Sequence, residues 1–275
     1  RGLTLFENNA YIADSGSHRV LKYALDTGAL TTLAGVSGKS GTNNGPGFVA
    51  RFFSPKSIVS ALGGLVVADS DNHTLRFIDV RGTVPLVVNL AGLPGSPGFT
   101  ATDSAPGGVD AGAAHFNTPI GLATDQNGNI YIADSKNNCV RMLMQTGNTN
   151  RVLTIATGFL EHTALAVGDQ SGTEIDLYVA DTRNHAIKLF RFDTDTLQMT
   201  TNKLSNNQVG VSLIAGSGSR VSGTDDSLFA DEALFNLPSA LMWSGAAVGL
   251  IVSDTGNHTL RRVYQDPIFQ DAIFQ

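Results

Sequence analysis

A ten-residue pattern recurs five times along the chain and constrains its fold more than any other feature. The copies are Tyr11-Ile-Ala-Asp-Ser-Gly-Ser-His-Arg-Val20, Val66-Val-Ala-Asp-Ser-Asp-Asn-His-Thr-Leu75, Tyr131-Ile-Ala-Asp-Ser-Lys-Asn-Asn-Cys-Val140, Tyr178-Val-Ala-Asp-Thr-Arg-Asn-His-Ala-Ile187 and Ile251-Val-Ser-Asp-Thr-Gly-Asn-His-Thr-Leu260. Aspartate recurs as Asp14, Asp69, Asp134, Asp181 and Asp254, each followed by Ser or Thr. Four residues later stands His18, His73, Asn138, His185 or His258, and two beyond that an aliphatic residue. Repetition of this kind marks stacked supersecondary units, none of which buries its apolar face alone.

Each copy reads locally as strand, turn, strand. A β-branched or aromatic run ends in a small residue before each Asp (Ala13, Ala68, Ala133, Ala180, Ser253), as expected of a buried strand that stops at a turn. The Asp-Ser/Thr-x-Asn stretch offers side-chain oxygens to turn amides. A further strand closes on Leu33-Ala-Gly35, Leu90-Ala-Gly92, Ile155-Ala-Thr-Gly158 and Ile214-Ala-Gly216. A second motif, Ala-x-Phe-x-x-Pro, leads into three of the innermost strands, at Ala50–Pro55, Ala114–Pro119 and Ala233–Pro238. Proline at a strand start withholds a donor where no ladder partner is needed. The Phe is expected to fill the gap between neighbouring sheets.

The Asp-Ser/Thr-x-Asn-His-x-Leu/Ile/Val core resembles the NHL repeat, and the pattern covers nearly the whole chain. The resemblance implies an all-β fold, a β-propeller with one four-stranded blade per repeat. The expectation is a single domain over 1–275, with blades at approximately 2–34, 56–91, 119–157, 163–216 and 239–275. Five blades are expected in this chain, or six if a blade lies outside it, since NHL propellers commonly have six. The chain opens without Met inside a strand-like run, so it is expected to be part of a longer polypeptide.

Composition narrows the function classes. An apolar fraction of 42% with 15% charged residues describes a globular chain with ample core. The net charge of −6 opposes the phosphate attraction that dominates nucleic-acid affinity. Cys139 is the only cysteine, which excludes an intramolecular disulfide and a cysteine-rich zinc site. No run approaches the roughly 18 apolar residues of a membrane span. An extracellular or surface-exposed location is favoured over a cytoplasmic one.

The long connections 36–54, 93–118 and 217–237 are rich in Gly, Ser, Asp and Asn, and long loops in compact folds carry function. They, with the short connection near Gly158–His162, supply the candidate binding residues Arg51, Asp103, Asp110, His115, His162, Asp225, Asp226 and Asp231. The leading reading is a non-catalytic protein- or peptide-binding or scaffolding module that uses these loops, without a cofactor. Their carboxylates offer oxygen ligands for calcium, though as solvated turn residues they need no ligand. His115 and His162 precede inner strands and, with a loop carboxylate, suit zinc or iron. That alternative is a metal-dependent hydrolase or lyase at a channel mouth, since some NHL proteins are similar to amidoglycolate lyases.

The repeated residues are read as structural. His18, His73, His185 and His258 occupy one motif position on different blades, where they bond a turn or pack on the next blade. Seven residues after the motif Asp stands a basic residue in four copies: Arg76, Arg141, Lys188 and Arg261. RNA binding, as in tripartite-motif NHL domains, would use them as a ring of charge. Pairing with neighbouring carboxylates is the favoured reading.

Overall fold

The computed structural model describes residues 2–100, 103, 107–146, 149–196, 198–199, 211–216, 220–227, 232–265 and 272–274. The fold is an all-β propeller of five antiparallel blades, as the repeats imply. The chain divides into two compact units, Arg1–Thr154 and Ile155–Gln275.

In the first unit, blade 1 comprises β1 (Leu3–Phe6), β2 (Asn9–Asp14), β3 (Arg19–Ala24) and β4 (Leu30–Gly35), hydrogen-bonded in chain order. Blade 2 carries β5 (Gly45–Pro46), β6 (Pro55–Ala61), β7 (Gly64–Asp69), β8 (Thr74–Asp79) and β9 (Leu86–Ala91). Blade 3 carries β10 (Val109–Asp110), β11 (Pro119–Thr124), β12 (Ile130–Asp134), β13 (Cys139–Thr146) and β14 (Thr149–Thr157), whose last residues lie in the second unit. The two-residue strands β5 and β10 were not legible as strands. Each belongs to a long connection and pairs with the outermost strand of the blade that the connection is about to enter, β9 or β14.

In the second unit, blade 4 is built of β15 (Ala164–Ser171), β16 (Glu174–Asp181) and β17 (Ala186–Asp193), with β18 (Gln198–Met199) and β19 (Ser212–Ala215) both on the edge of β17. Blade 5 comprises β20 (Pro238–Trp243), β21 (Leu250–Asp254), β22 (Thr259–Gln265) and β23 (Ala272–Phe274).

Strand alternation divides blade 2 between two seams. In β7 every residue is buried, because successive side chains point to opposite faces and both faces are covered. Leu65 and Val67 pack with Tyr11, Ala13 and Val20 of blade 1. Val66 and Ala68 pack with Leu122, Ile130 and Ile132 of blade 3. Tyr178, Ala180 and Ile187 of blade 4 meet Leu250 and Val252 of blade 5 in the same way. One Phe of the lead-in motif is wholly buried in each of these three seams: Phe52, Phe116 and Phe235.

Candidate functional site

Each motif turn begins where the second strand ends on Asp. A single 3-10 turn follows, and the His or Asn behind it takes left-handed backbone, with φ from 53° to 59°. Such a φ costs about 1 kcal/mol for a residue other than Gly, with Asn, Asp and His among the more tolerant types. The Asp side chain does not cap this turn, contrary to the sequence-based expectation. It reaches instead to the lead-in segment of its own blade. Asp69, Asp134, Asp181 and Asp254 accept the backbone N–H of Phe53, Asn117, Leu160 and Asn236, all at 2.7 Å.

Two further donors complete each carboxylate. Asn72, Asn137, Asn184 and Asn257 donate from Nδ2 to the motif Asp at 2.8 Å. The basic residue seven positions after the Asp forms an ion pair with it: Arg76 at 2.9 Å, Arg141 at 3.3 Å, Lys188 at 2.6 Å and Arg261 at 3.2 Å. The same cations lie over the lead-in rings, Arg76 on Phe52, Arg141 on Phe116, Lys188 on Phe159 and Arg261 on Phe235, 4.3 to 5.5 Å from the centroids. Arg76 and Arg141 are buried. A guanidinium held by a carboxylate and an aromatic face is bound internally and offers no ring of charge to RNA. Blade 1 differs: Leu21 stands at that position, and Arg19 Nε binds Asp14 at 2.8 Å.

The lysine pair exposes a fourth lead-in segment that the sequence disguises. Lys188 donates to the carbonyl of Gly158, as Arg76 and Arg141 donate to those of Arg51 and His115. Residues 157–162 therefore match the Ala-x-Phe-x-x-Pro register, with His162 in the proline position. His162 is buried, its ring 5.0 Å from that of Phe159.

The loop candidates mostly serve the same nodes. Asp103 is wholly buried, not solvated: it accepts from Arg141 Nη2 at 3.3 Å, from the backbone N–H of His115 at 3.0 Å and from that of Thr100 at 2.7 Å. Burial acts to raise its carboxyl, but the His115 and Thr100 amides and the Arg141 charge hold it below the usual range. His115 Nδ1 lies 3.3 Å from Asp103 Oδ2. In the second unit, Arg261 Nη2 reaches the Asp225 carbonyl at 3.1 Å and Asp226 Oδ1 at 2.5 Å. In blade 2 the corresponding acceptors are Asn43 O at 3.0 Å and Asn44 Oδ1 at 2.7 Å, both from Arg76.

The structure thus gathers Asp103 with His115, and Asp225 with Asp226. Asp110 accepts locally from the Gly112 N–H at 2.9 Å, and Arg51 bonds the Ala50 carbonyl at 2.8 Å. Asp231 lies outside the described residues. Among the described residues no three His, Cys, Asp or Glu side chains are grouped to hold a metal ion. No helix among them is long and apolar enough to cross a membrane.

Burial pushes Asp69 and Asp134 up to about 6, against the lowering effect of their hydrogen bonds and arginines. Burial also raises the Cys139 thiol, which makes it a poor nucleophile.

The seams are stitched by two contacts that sequence reading did not resolve. Ser70 Oγ donates to the Pro119 carbonyl of the next blade at 2.6 Å, and Thr182 Oγ1 to that of Pro238 at 2.8 Å. His18, His73 and His185 accept at Nδ1 the backbone N–H of Ser54, Thr118 and Leu237, each at 3.1 Å and each just before the next blade's proline.

Most exposed among the large hydrophobic residues of the first long connection is Phe48, 70% accessible to solvent. It borders a groove of about 500 Å³ lined by Thr32, Leu33, Gly47, Val84 and Pro85 among others. β4, the outermost strand of its sheet, forms one wall.

Comparison with known proteins agrees with this architecture. The NHL repeat family matches residues 116–142. The chain is 29% identical over 226 residues to NHL repeat-containing protein 2 of Bos taurus, covering 70% of this chain and 30% of that protein. It therefore spans less than a third of that relative's length. Among solved structures it is similar to an auxiliary nutrient binding protein from Bacteroides thetaiotaomicron, with a TM-score of 0.64 at 12% identity over 99% of this chain and 55% of that one. It is also similar to a streptogramin B lyase, with a TM-score of 0.56 at 10% identity over 96% of this chain and 64% of that one. At such identities these two establish the fold alone. With five copies of the motif, one blade built on each and an NHL repeat matched over residues 116–142, the chain is similar to NHL repeat β-propellers.

Proposed function

We propose that this chain is a non-catalytic protein-binding module, and that it grips its partner at the groove beside Phe48. NHL propellers support binding or scaffolding in general. The observation that carries the specific reading is the exposed Phe48 ring beside Leu33, Val84 and Pro85 along the edge of β4. An aromatic side chain at the lip of an apolar groove is the usual anchor of a protein contact. The outer strands of blades 2 and 3 are capped by β5 and β10, whereas among the described residues β4 has only β3 beside it. An extended partner segment adds to such an edge through main-chain hydrogen bonds, with apolar side chains seated in the groove.

A photo-crosslinking side chain at Val84 in the full-length protein, used in its native source, tests the reading. One protein partner should be captured, and Phe48→Asp should abolish capture without changing the melting temperature. Capture unaltered by Phe48→Asp, or no protein captured at all, overturns the proposal.

A further inference from the structure

Two Asn-Gly pairs occur in the chain, Asn44-Gly45 and Asn127-Gly128. In such a pair the glycine nitrogen can attack the side-chain amide before it, since no Cβ crowds the approach. Both pairs lie in the first unit, and both asparagines are exposed. They differ in what holds the amide. Asn44 Oδ1 accepts from Arg76 Nη2 at 2.7 Å. The guanidinium is itself fixed: Nη1 donates to Asp69 at 2.9 Å and to the Arg51 carbonyl at 3.0 Å, and Nη2 also to the Asn43 carbonyl at 3.0 Å. Arg76 is buried. Gly45 has φ 118°, and no atom lies within 4 Å of the place a Cβ would take. Asn127 stands in the turn between β11 and β12, its backbone N–H on Asp125 at 2.9 Å. No described arginine holds its amide.

We infer that Asn44 is a self-modification site, deamidated through a cyclic imide whose formation Arg76 promotes. The Gly45 nitrogen gives its proton to hydroxide or water and bonds to Asn44 Cγ. The C=O electron pair moves onto Oδ1, which becomes an oxyanion against Arg76 Nη2. A guanidinium already fixed on that oxygen stabilises the developing charge more than it stabilises the neutral amide. The tetrahedral carbon then expels ammonia, whose nitrogen takes up a proton, and a succinimide remains. Water opens either ring carbonyl and leaves aspartate or isoaspartate. Ammonia departs, water enters, and nothing is oxidised or reduced.

The node suits the product. At the equivalent place Arg141 holds Asp103 and Arg261 holds Asp226. Blade 2 alone of these three presents an amide to its arginine. Aspartate at position 44 would supply the carboxylate that the other two carry. This chemistry does not depend on the groove beside Phe48.

The test incubates the full chain at mildly alkaline pH and follows both pairs by peptide mapping with mass spectrometry. An isoaspartate-specific methyltransferase gives a second readout. Asn44 should convert about tenfold faster than Asn127, the return of one contact that strengthens as charge develops. In urea, where the node is lost, the two rates should converge. Arg76→Lys keeps a cation on Asp69, as Lys188 does on Asp181, and removes the planar fork from Asn44. There the Asn44 rate should fall to that of Asn127. An Asn44 rate in the native chain equal to or below that of Asn127 overturns the proposal, because Arg76 then holds the amide away from Gly45. An excess that persists in urea overturns it too, since sequence rather than structure then sets the rate. So does a rate that stays high in Arg76→Lys.

Discussion

The Nδ1 atom of His73 on blade 2 accepts the backbone N–H of Thr118 on blade 3 at 3.1 Å, and both residues hold left-handed backbone, with φ 59° and 55°. Two strained positions are thus tied across a seam by one hydrogen bond. The bond requires Nδ1 unprotonated, so the ring serves only while neutral. Burial lowers the proton affinity of His73 from its ordinary value of 6.5. A histidine whose folded value lies below its unfolded one confers stability above about pH 6.5, lost as pH falls through the folded value. His73→Ala should cost about 1–3 kcal/mol at pH 8, the price of an amide left unpaired in a seam. His73→Asn should cost less, since Asn138 fills this position on blade 3 with φ 54°. Urea denaturation at pH 8 and pH 5 measures both effects, and only the native histidine should show this contribution weakening at the lower pH.

Arg76 joins four groups: Asp69, the carbonyls of Asn43 and Arg51, and Asn44 Oδ1. Arg76→Met should destabilise by about 3–5 kcal/mol, because it strands a carboxylate in the core. Adding Asp69→Asn should recover a large part of that loss. Hydrogen exchange over residues 41–54 should accelerate in the single variant, since the connection loses its anchor.

Asp69 and Asp134 act oppositely to His73. Their folded values, raised by burial to about 6, exceed the ordinary 3.8. The folded state therefore binds protons more tightly than the unfolded one. The stability they contribute is full below about pH 4 and is lost as pH rises through about 6. In a His73→Asn background, the unfolding free energy should decline between pH 4 and pH 6.5. Asp134→Asn should flatten that decline. A slope unchanged by Asp134→Asn would place the titration elsewhere.

The fold was legible because most of the residues that repeat make repeated contacts. Asp and Asn bond the same partner groups on blades 2 to 5, and the His and aliphatic positions meet the same partners on blades 1, 2 and 4. The connections were opaque for an equally physical reason. Gly41, Gly98 and Gly223 all present a carbonyl to the motif Asn, and a carbonyl carries no residue identity. Asn44, Asp103 and Asp226 all accept from the motif Arg, yet two residue types and unequal loop lengths hide the match. Hence Asp103 read as a loop carboxylate when it is a core ligand. The lead-in of blade 4 was missed because His162 stands where proline was the marker. The groove beside Phe48 left no trace in the sequence, because residues distant along the chain build it.

Gly92 and Phe116 provide a last test of how tightly a seam is packed. Gly92 ends the outer strand of blade 2 with φ 89°, and a Cβ there would lie 2.7 Å from the His73 carbonyl and 2.8 Å from the Phe116 ring. Gly92→Ala therefore meets two separate penalties, an unfavourable backbone for an L-residue and a collision with the lead-in ring. Phe116→Ala alone should cost about 3–5 kcal/mol, as the ring is wholly buried among Val66, Ala68 and Leu75. In the double variant the collision with the ring disappears, while the backbone strain and the His73 contact persist. The double variant should accordingly lose less than the sum of the two single losses, by about 0.5–3 kcal/mol. Strict additivity in denaturant unfolding would mean that Phe116 yields to the new methyl at no cost, and that the seam is looser than its geometry states.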